Sequence, residues 1–252
     1  MVKNKTAQFR FYEELNDFLP KSTRRKQFSY QFKGKSAIKD AIEAIGVPHT
    51  EVDLIVVNGE SVGFEYHLKD DDIVAVYPVF ESLDISPILR LRPRPLRNTR
   101  FILDVHLGKL ARMLRMLGFD TLYEESYNDA EIVAHAVKDK RIIITRDQNL
   151  LKIKAVTHGY WLRSTDPMDQ IIEVINRFDI KSQIKPFIRC MVCNGLIEEI
   201  DKTKIIKKVS AKTLKYYDVF FTCSSCGKIY WQGSHYKKME KKIHAILYGS
   251  NV

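Results

Sequence analysis

The sequence predicts an α/β protein: a mostly parallel sheet with flanking helices, preceded by a small strand-rich domain and followed by a cysteine-rich module. Three observations predict it. Short, wholly apolar runs such as Phe101–Leu103 and Ile142–Ile144 read as strands covered on both faces. Around them, apolar residues recur at helical spacing. All four cysteines fall in the last quarter of the 252-residue chain, as two CxxC pairs.

The bulk numbers are those of an ordinary globular protein, with 45% hydrophobic and 29% charged residues. No apolar run approaches the roughly 18 residues of a membrane span. The N-terminus, MVKNKTAQFRFYEE, lacks the apolar segment of a secretory signal, so the expected setting is cytoplasmic, with no membrane partner. The net charge of +10 is unevenly spread. Lys+Arg against Asp+Glu is 15 against 14 over residues 1–98, 12 against 12 over 99–180, and 14 against 5 over 181–252. The last segment therefore holds +9, the footprint of a polyanion partner, most often nucleic acid. A solvated lysine-rich surface is the competing reading.

Residues 1–83 alternate strand-like runs with one helix. AQFRFYEE and QFSYQFKG alternate aromatic and polar residues, and DDIVAVYPVF forms a last strand. SAIKDAIEAIG predicts a helix with Ser36 as N-cap and Gly46 as stop. VDLIVVNGESV predicts a strand closed by an Asn58-Gly59 turn. Strand, strand, helix, strand, strand is the order of a β-grasp (ubiquitin-like) domain. Sulfur carriers of that shape end in a Gly-Gly tail; this chain runs instead into FESLDISP, which speaks against a carrier.

Residues 84–98, DISPILRLRPRPLRN, hold three prolines and four arginines and read as a semi-rigid linker. Strand–helix alternation follows over 99–180, with strands expected at 101–104, 119–123, 141–145 and 159–163. In LGKLARMLRMLG, Leu107, Leu110, Leu114 and Leu117 form one stripe and Gly118 ends the helix. NDAEIVAHAVKDK is a second helix, with Asp129 placed to cap it and Ile132, Val133, Ala136 and Val137 facing inward. DPMDQIIEVINRF is a third, with Pro167 in its first turn and Ile171, Ile172, Val174 and Ile175 behind it.

Asp104 and Asp147 each stand just past an apolar strand, at the sheet edge where open α/β folds bind ligands. Asp129 opens a helix that leads to the second of these strands. Carboxylates converging there would repel one another unless they hold a cation, and Mg²⁺ or Mn²⁺ takes oxygen ligands in this way. Such an ion activates water for phosphodiester hydrolysis, so the acids point to a metal-dependent nuclease. Arg146 is close enough to contact a phosphate or to neutralise the acids. The competing reading makes each Asp a helix cap, worth about 1 kcal/mol. Glu131 is an alternative to Asp129, and Asp166 or Asp169 a candidate fourth acid or cap. Lys109, Arg112 and Arg115 recur on the helix face away from the leucines, a nucleic-acid contact or a solvated face.

In RCMVCNG and FFTCSSCGKIYWQGSH, Cys190, Cys193, Cys223 and Cys226 form two knuckles with the spacing of a tetrahedral zinc site. Four thiolates leave no open coordination position, which makes the zinc structural; a redox dithiol is the weaker alternative. Residues 181–252 thus form a zinc ribbon. Lys207, Lys208, Lys237 and Lys238 surround it, interleaved with Tyr216, Tyr217, Tyr230, Trp231 and Tyr236. Lysines for phosphates and aromatic faces for bases suit a single-strand binder; the same aromatics would also fill a small core. His235 faces the same choice between substrate and knuckle.

Taken together, these residues resemble the Mut-seven C-terminal RNase family, a branch of the PIN-like nucleases that often carries a ubiquitin-like N-terminal domain. The resemblance rests on GVPHTEVDLIVVNGESV and DDIVAVYPVFE, on FILDVHLGKLARMLRMLGFDT, NDAEI and RIIITRD, and on RCMVCN and CSSCGKIYWQGSHYKKM. It implies a PIN-like sheet over 99–180 whose acid cluster binds Mg²⁺ or Mn²⁺ and cuts RNA. Asp104 matches the family's first acid, Asp129 the acid before the second helix, and Asp147 the acid of the TRD motif. A fourth acid has no single match, leaving one metal or two as alternatives. The expected function is a ribonuclease acting on tRNA or another structured RNA, gripped by the ribbon, with the ubiquitin-like domain docking a protein partner. The alternative is a non-catalytic RNA-binding adaptor.

Overall fold

The computed structural model describes residues 4–78 and 99–249. The expected 84–98 linker and the Val79–Phe80 end of the last N-terminal strand lie outside them. The elements are β1 (Asn4–Phe11), β2 (Phe28–Lys33), α1 (Ile38–Ile45), β3 (Leu54–Val57), β4 (Glu60–Val62) and β5 (Ile73–Tyr77). Then come β6 (Arg100–Leu103), α2 (Gly108–Met116), β7 (Asp120–Leu122), α3 (Asp129–Asp139), β8 (Ile142–Thr145), α4 (Gln148–Lys152), β9 (Gly159–Trp161) and α5 (Pro167–Arg177). The C-terminal part holds β10 (Ile197–Ile200), α6 (Ala211–Tyr216), β11 (Phe220–Cys223), β12 (Ile229–Trp231) and α7 (Ser234–Tyr248). Among the described residues no helix is long and apolar enough to cross a membrane. The chain divides into two units, Met1–Asn98 with Thr145–Trp161, and Thr99–Ile144 with Leu162–Val252.

In the first unit the sheet order is β2-β1-β5-β3-β4, with β1 and β5 parallel and their outer neighbours antiparallel. This is the expected β-grasp. Alternation in β1 turns Ala7, Phe9 and Phe11 inward, where they meet Ile38 and Ile42 of α1 and Ile55, Val74 and Val76 of the sheet. Asn58 and Gly59 both take positive φ, 51° and 90°, the two-residue turn that matches strand twist. Ser36 is not the N-cap of α1: Ala37 is, without a side-chain cap. The entry is held by backbone instead, because Ile38 N–H donates to Tyr66 O and Leu68 N–H to Ser36 O.

The same unit contains α4, a short helix with no counterpart among the expected elements. Five residues give no periodicity to read. Leu150 and Leu151 of α4 and Val156 after it are buried. They and β9 pack against a 3₁₀ turn, His49–Glu51, of the β-grasp domain.

In the second unit β6 lies between β7 and β8 and is parallel to both. Phe101, Ile102, Leu103, Ile143 and Ile144 are buried, as wholly apolar strands require. The α2 stripe forms as expected, with Leu107, Leu110, Leu114 and Leu117 buried, and α2 packs on α5. Two helices bury less than expected. In α3 only Ile132 and Ala136, one turn apart, are buried, and Val137 is 52% exposed because it is rotated off that stripe. In α5 Ile171, Val174 and Ile175 are buried while Ile172 turns outward. The C-terminal module is an antiparallel sheet, β10-β11-β12, the expected ribbon, and α7 packs back on α5.

Gly118 follows α2 at φ +97°, a conformation that favours glycine. The last carbonyls of the helix are capped by the chain entering the ribbon: Phe187 N–H donates to Met116 O and Lys185 N–H to Leu117 O, both at 3.0 Å. A Cβ on Gly118 would run into the Lys185 carbonyl oxygen. Gly118→Ala should therefore cost about 2 kcal/mol or more, read as a lowered midpoint in urea unfolding with an unchanged slope.

Candidate functional site

The four cysteine thiols lie within 4.8 Å of one another, the one cluster of three or more potential His, Cys, Asp or Glu ligands among the described residues. Both knuckles are built alike. Asn194 N–H donates to Cys190 O and Gly227 N–H to Cys223 O, and Asn194 and Gly227, each directly after its CxxC pair, both take φ +68°. Gly195 matters for a different reason. A Cβ there would sit 2.8 Å from Cys223 Sγ of the opposite knuckle. The Tyr230 hydroxyl lies 3.0 Å from Cys190 Sγ. Burial pushes the Cys190 thiol up, but that hydroxyl and the Cys193 and Val192 backbone N–H groups outweigh it and bring the pKa down to about 6. Four soft sulfur donors at this spacing, with a glycine clearing their approach, fit a structural zinc ion. Tyr230 thus favours the thiolate form of Cys190, the form a metal ion takes.

The first knuckle is fastened to the parallel sheet by Arg115 and by two polar residues that the sequence did not single out, Asn194 and Asp120. Arg115, expected on a solvated face, is only 3% exposed. Its guanidinium donates to Thr121 O at 2.9 Å, Val192 O at 2.7 Å and Tyr123 O at 3.3 Å. Asn194 acts as an extra edge for β7: its Oδ1 accepts from Thr121 N–H at 3.0 Å and its Nδ2 donates to Asp120 Oδ1 at 2.8 Å. Asp120 also accepts from Arg141 Nη1 at 2.7 Å and pairs with Arg189 at 3.6 Å. Burial pushes the Asp120 carboxyl up, yet hydrogen bonds from Arg141 and Asn194 and the two arginine charges hold it below the usual carboxylate range. The available signal was an arginine inside an apolar run, Met113-Leu114-Arg115-Met116-Leu117.

Each acid has its own surroundings. Asp104 directly follows β6, is 9% exposed, and its N–H donates to Ile144 O at 3.1 Å. It precedes a 3₁₀ turn, Val105–Leu107, to which its side chain gives no capping hydrogen bond. Asp129 is exposed but is not the cap of α3. Asn128 is, in a capping box with Glu131, which ties up Glu131 as well. Asp147 follows β8, is exposed, and caps α4 by accepting from Asn149 N–H at 2.8 Å. Asp166 caps α5 through Met168 and Asp169 N–H. Asp104 and Asp129 belong to the second unit; Arg146 and Asp147 belong to the first.

Of the basic candidates, Lys109 and Arg112 on α2 are exposed, as are Lys207, Lys208, His235, Lys237 and Lys238 in the C-terminal module. Trp231 is half-buried against Phe220, and the Tyr236 ring lies tilted against that of Phe187. These two rings are thus at least partly core, whereas Tyr216 is exposed.

The fold is that of an α/β protein whose sheet carries an acid directly after β6 and is joined to a four-cysteine ribbon. The chain belongs to the Mut7-C RNAse domain family, which it matches over residues 99–243, and it matches the Mut7-C ubiquitin domain over residues 4–84. No curated protein and no solved structure matches the chain.

The Asp120 network has a pH signature. A carboxyl depressed in the folded state contributes stability that is complete above its unfolded value of about 3.9 and is lost as pH falls through the folded value. Asp120→Asn should lower stability by about 2 kcal/mol at pH 7, and the gap between the two proteins should narrow below about pH 4. Urea unfolding of both proteins across pH checks it.

Proposed function

We propose that the chain is a Mg²⁺- or Mn²⁺-dependent ribonuclease in which Asp104, Asp129 and Asp147 hold the ion. The observation that carries this reading is Asp104: a buried carboxylate directly after β6, a central strand of the sheet, at the edge where open α/β folds bind ligands. Membership of an RNase-domain family supports it. Three carboxylates are the hard oxygen donors that these ions take.

When bound, the ion would supply an activated water and neutralise charge on the phosphate. The remaining roles fall to the chain. Arg146, exposed beside Asp147, meets a phosphate oxygen of the scissile bond. Lys109 and Arg112 on α2, and Lys207, Lys208, Lys237 and Lys238 around the ribbon, bind the RNA backbone and make affinity fall with salt. Trp231 and His235 offer ring faces to bases. The substrate class is tRNA or another structured RNA in the cytoplasm, and the ubiquitin-like domain offers a surface to a protein partner. A second reading, an RNA-binding adaptor without catalysis, draws on Asp147 serving as a helix cap.

Cleavage of labelled tRNA, single-stranded RNA and DNA in Mn²⁺ and Mg²⁺ separates the two. Asp104→Asn and Asp147→Asn should each lower RNA cleavage at least about a hundredfold while RNA affinity changes less than about twofold. Tight RNA binding without cutting by the wild type in either metal would favour the adaptor.

A further inference from the structure

Three polar residues in a row, His49, Thr50 and Glu51, are 6%, 2% and 0% exposed in the β-grasp domain. Burying such groups is costly unless they are hydrogen-bonded, so their partners reveal what the turn is for. For His49 and Glu51 those partners lie about a hundred residues further on, in the segment that carries Arg146 and Asp147. His49 Nε2 donates to Val156 O at 2.7 Å, with its Nδ1 on the Glu43 carboxylate. Glu51 Oε1 accepts the N–H of Trp161. The Trp161 ring lies 4.9 Å from that of Phe18, another β-grasp residue, and its indole Nε1–H donates to Arg146 O at 3.2 Å. A continuous path therefore runs from Phe18 and Glu51 through Trp161 to the backbone next to Asp147.

We infer that His49, Glu51 and Phe18 are positioning residues: the β-grasp domain holds the Thr145–Trp161 segment in place and so presents Asp147 and Arg146. This inference rests on the ribonuclease reading for its catalytic consequence but not for its structural one. It makes the N-terminal domain the support of the segment that carries Asp147. Thr145–Trp161 follows β8 of the sheet in sequence, yet its buried side chains, Leu150, Leu151 and Val156, pack on the unit that holds the β-grasp. A loop that carries a ligand needs a rigid support, because a displacement near 1 Å costs about a hundredfold in rate. The His49–Glu51 turn and Trp161 supply that support.

The test uses the full chain. Trp161→Phe keeps a ring on Phe18 and the backbone N–H on Glu51 but removes the donor to Arg146 O. Glu51→Ala removes the acceptor, and Glu51→Gln keeps an oxygen in its place. Hydrogen exchange at amides 146–156 should rise about fivefold in Trp161→Phe and about tenfold in Glu51→Ala, with β6 and the ribbon strands unchanged. On RNA, kcat should fall about tenfold with KM unchanged, and Glu51→Gln should restore both exchange and kcat. Unchanged exchange at 146–156, or an equal rise through β1–β5, would overturn the inference, the latter making Glu51 merely structural. Local loosening without loss of kcat would overturn its catalytic part. If the wild type cuts no RNA, the ribonuclease reading fails and the exchange measurement still decides whether the segment is held by the β-grasp domain.

Discussion

Asp120 is the residue on which the second unit turns. One carboxylate, set at the start of β7, meets Arg141 from just before β8, Asn194 from the first cysteine knuckle and Arg189 from the segment leading into it. A half-buried charge is tolerable only with its partners in place, and removing one leaves the others short. Arg115 repeats the arrangement with the opposite sign, spending its donors on carbonyls of β7, Tyr123 and the knuckle. The sheet and the ribbon therefore share a polar core rather than a hinge.

This has a consequence for how the cysteine cluster acts. Asn194 is next to Cys193, so the geometry that gathers four thiols also sets the amide that edges β7. Free energy from a structural zinc ion would stabilise the knuckle and, through Asn194, the strand beside the one that ends at Asp104. The lysines around the ribbon are carried on the same body as Asp104 and α2.

Much of this was legible in the sequence. The β-grasp order, the leucine stripe of α2, the Asn58-Gly59 turn, the parallel strands and the cysteine quartet each follow from local pattern. So did the family, from motifs spread along the chain. What was not legible depends on contacts between distant segments. Arg115 reads as one of three evenly spaced basic residues, and only the carbonyls of a knuckle about 75 residues away explain its burial. Asp129 reads as a cap, but its neighbour Asn128 competes better because Glu131 completes a box with it. Ser36 loses its capping role to a backbone bridge between Ala37 and His67. His49 and Glu51 are unremarkable in GVPHTEVD, and their partners lie beyond the expected linker. The place of Asp104 was readable, since a wholly apolar strand ending in an acid is itself a local pattern.

The coupling of ribbon to sheet is tested most directly by hydrogen exchange on the full chain before and after zinc is chelated. The expected result is that the Thr121 amide and its β6–β7 neighbours lose protection at least about tenfold, in step with the Cys190–Asn194 knuckle. Loosening of the knuckle with β6 and β7 as protected as before would contradict it, and would leave the ribbon a separate module attached to the sheet.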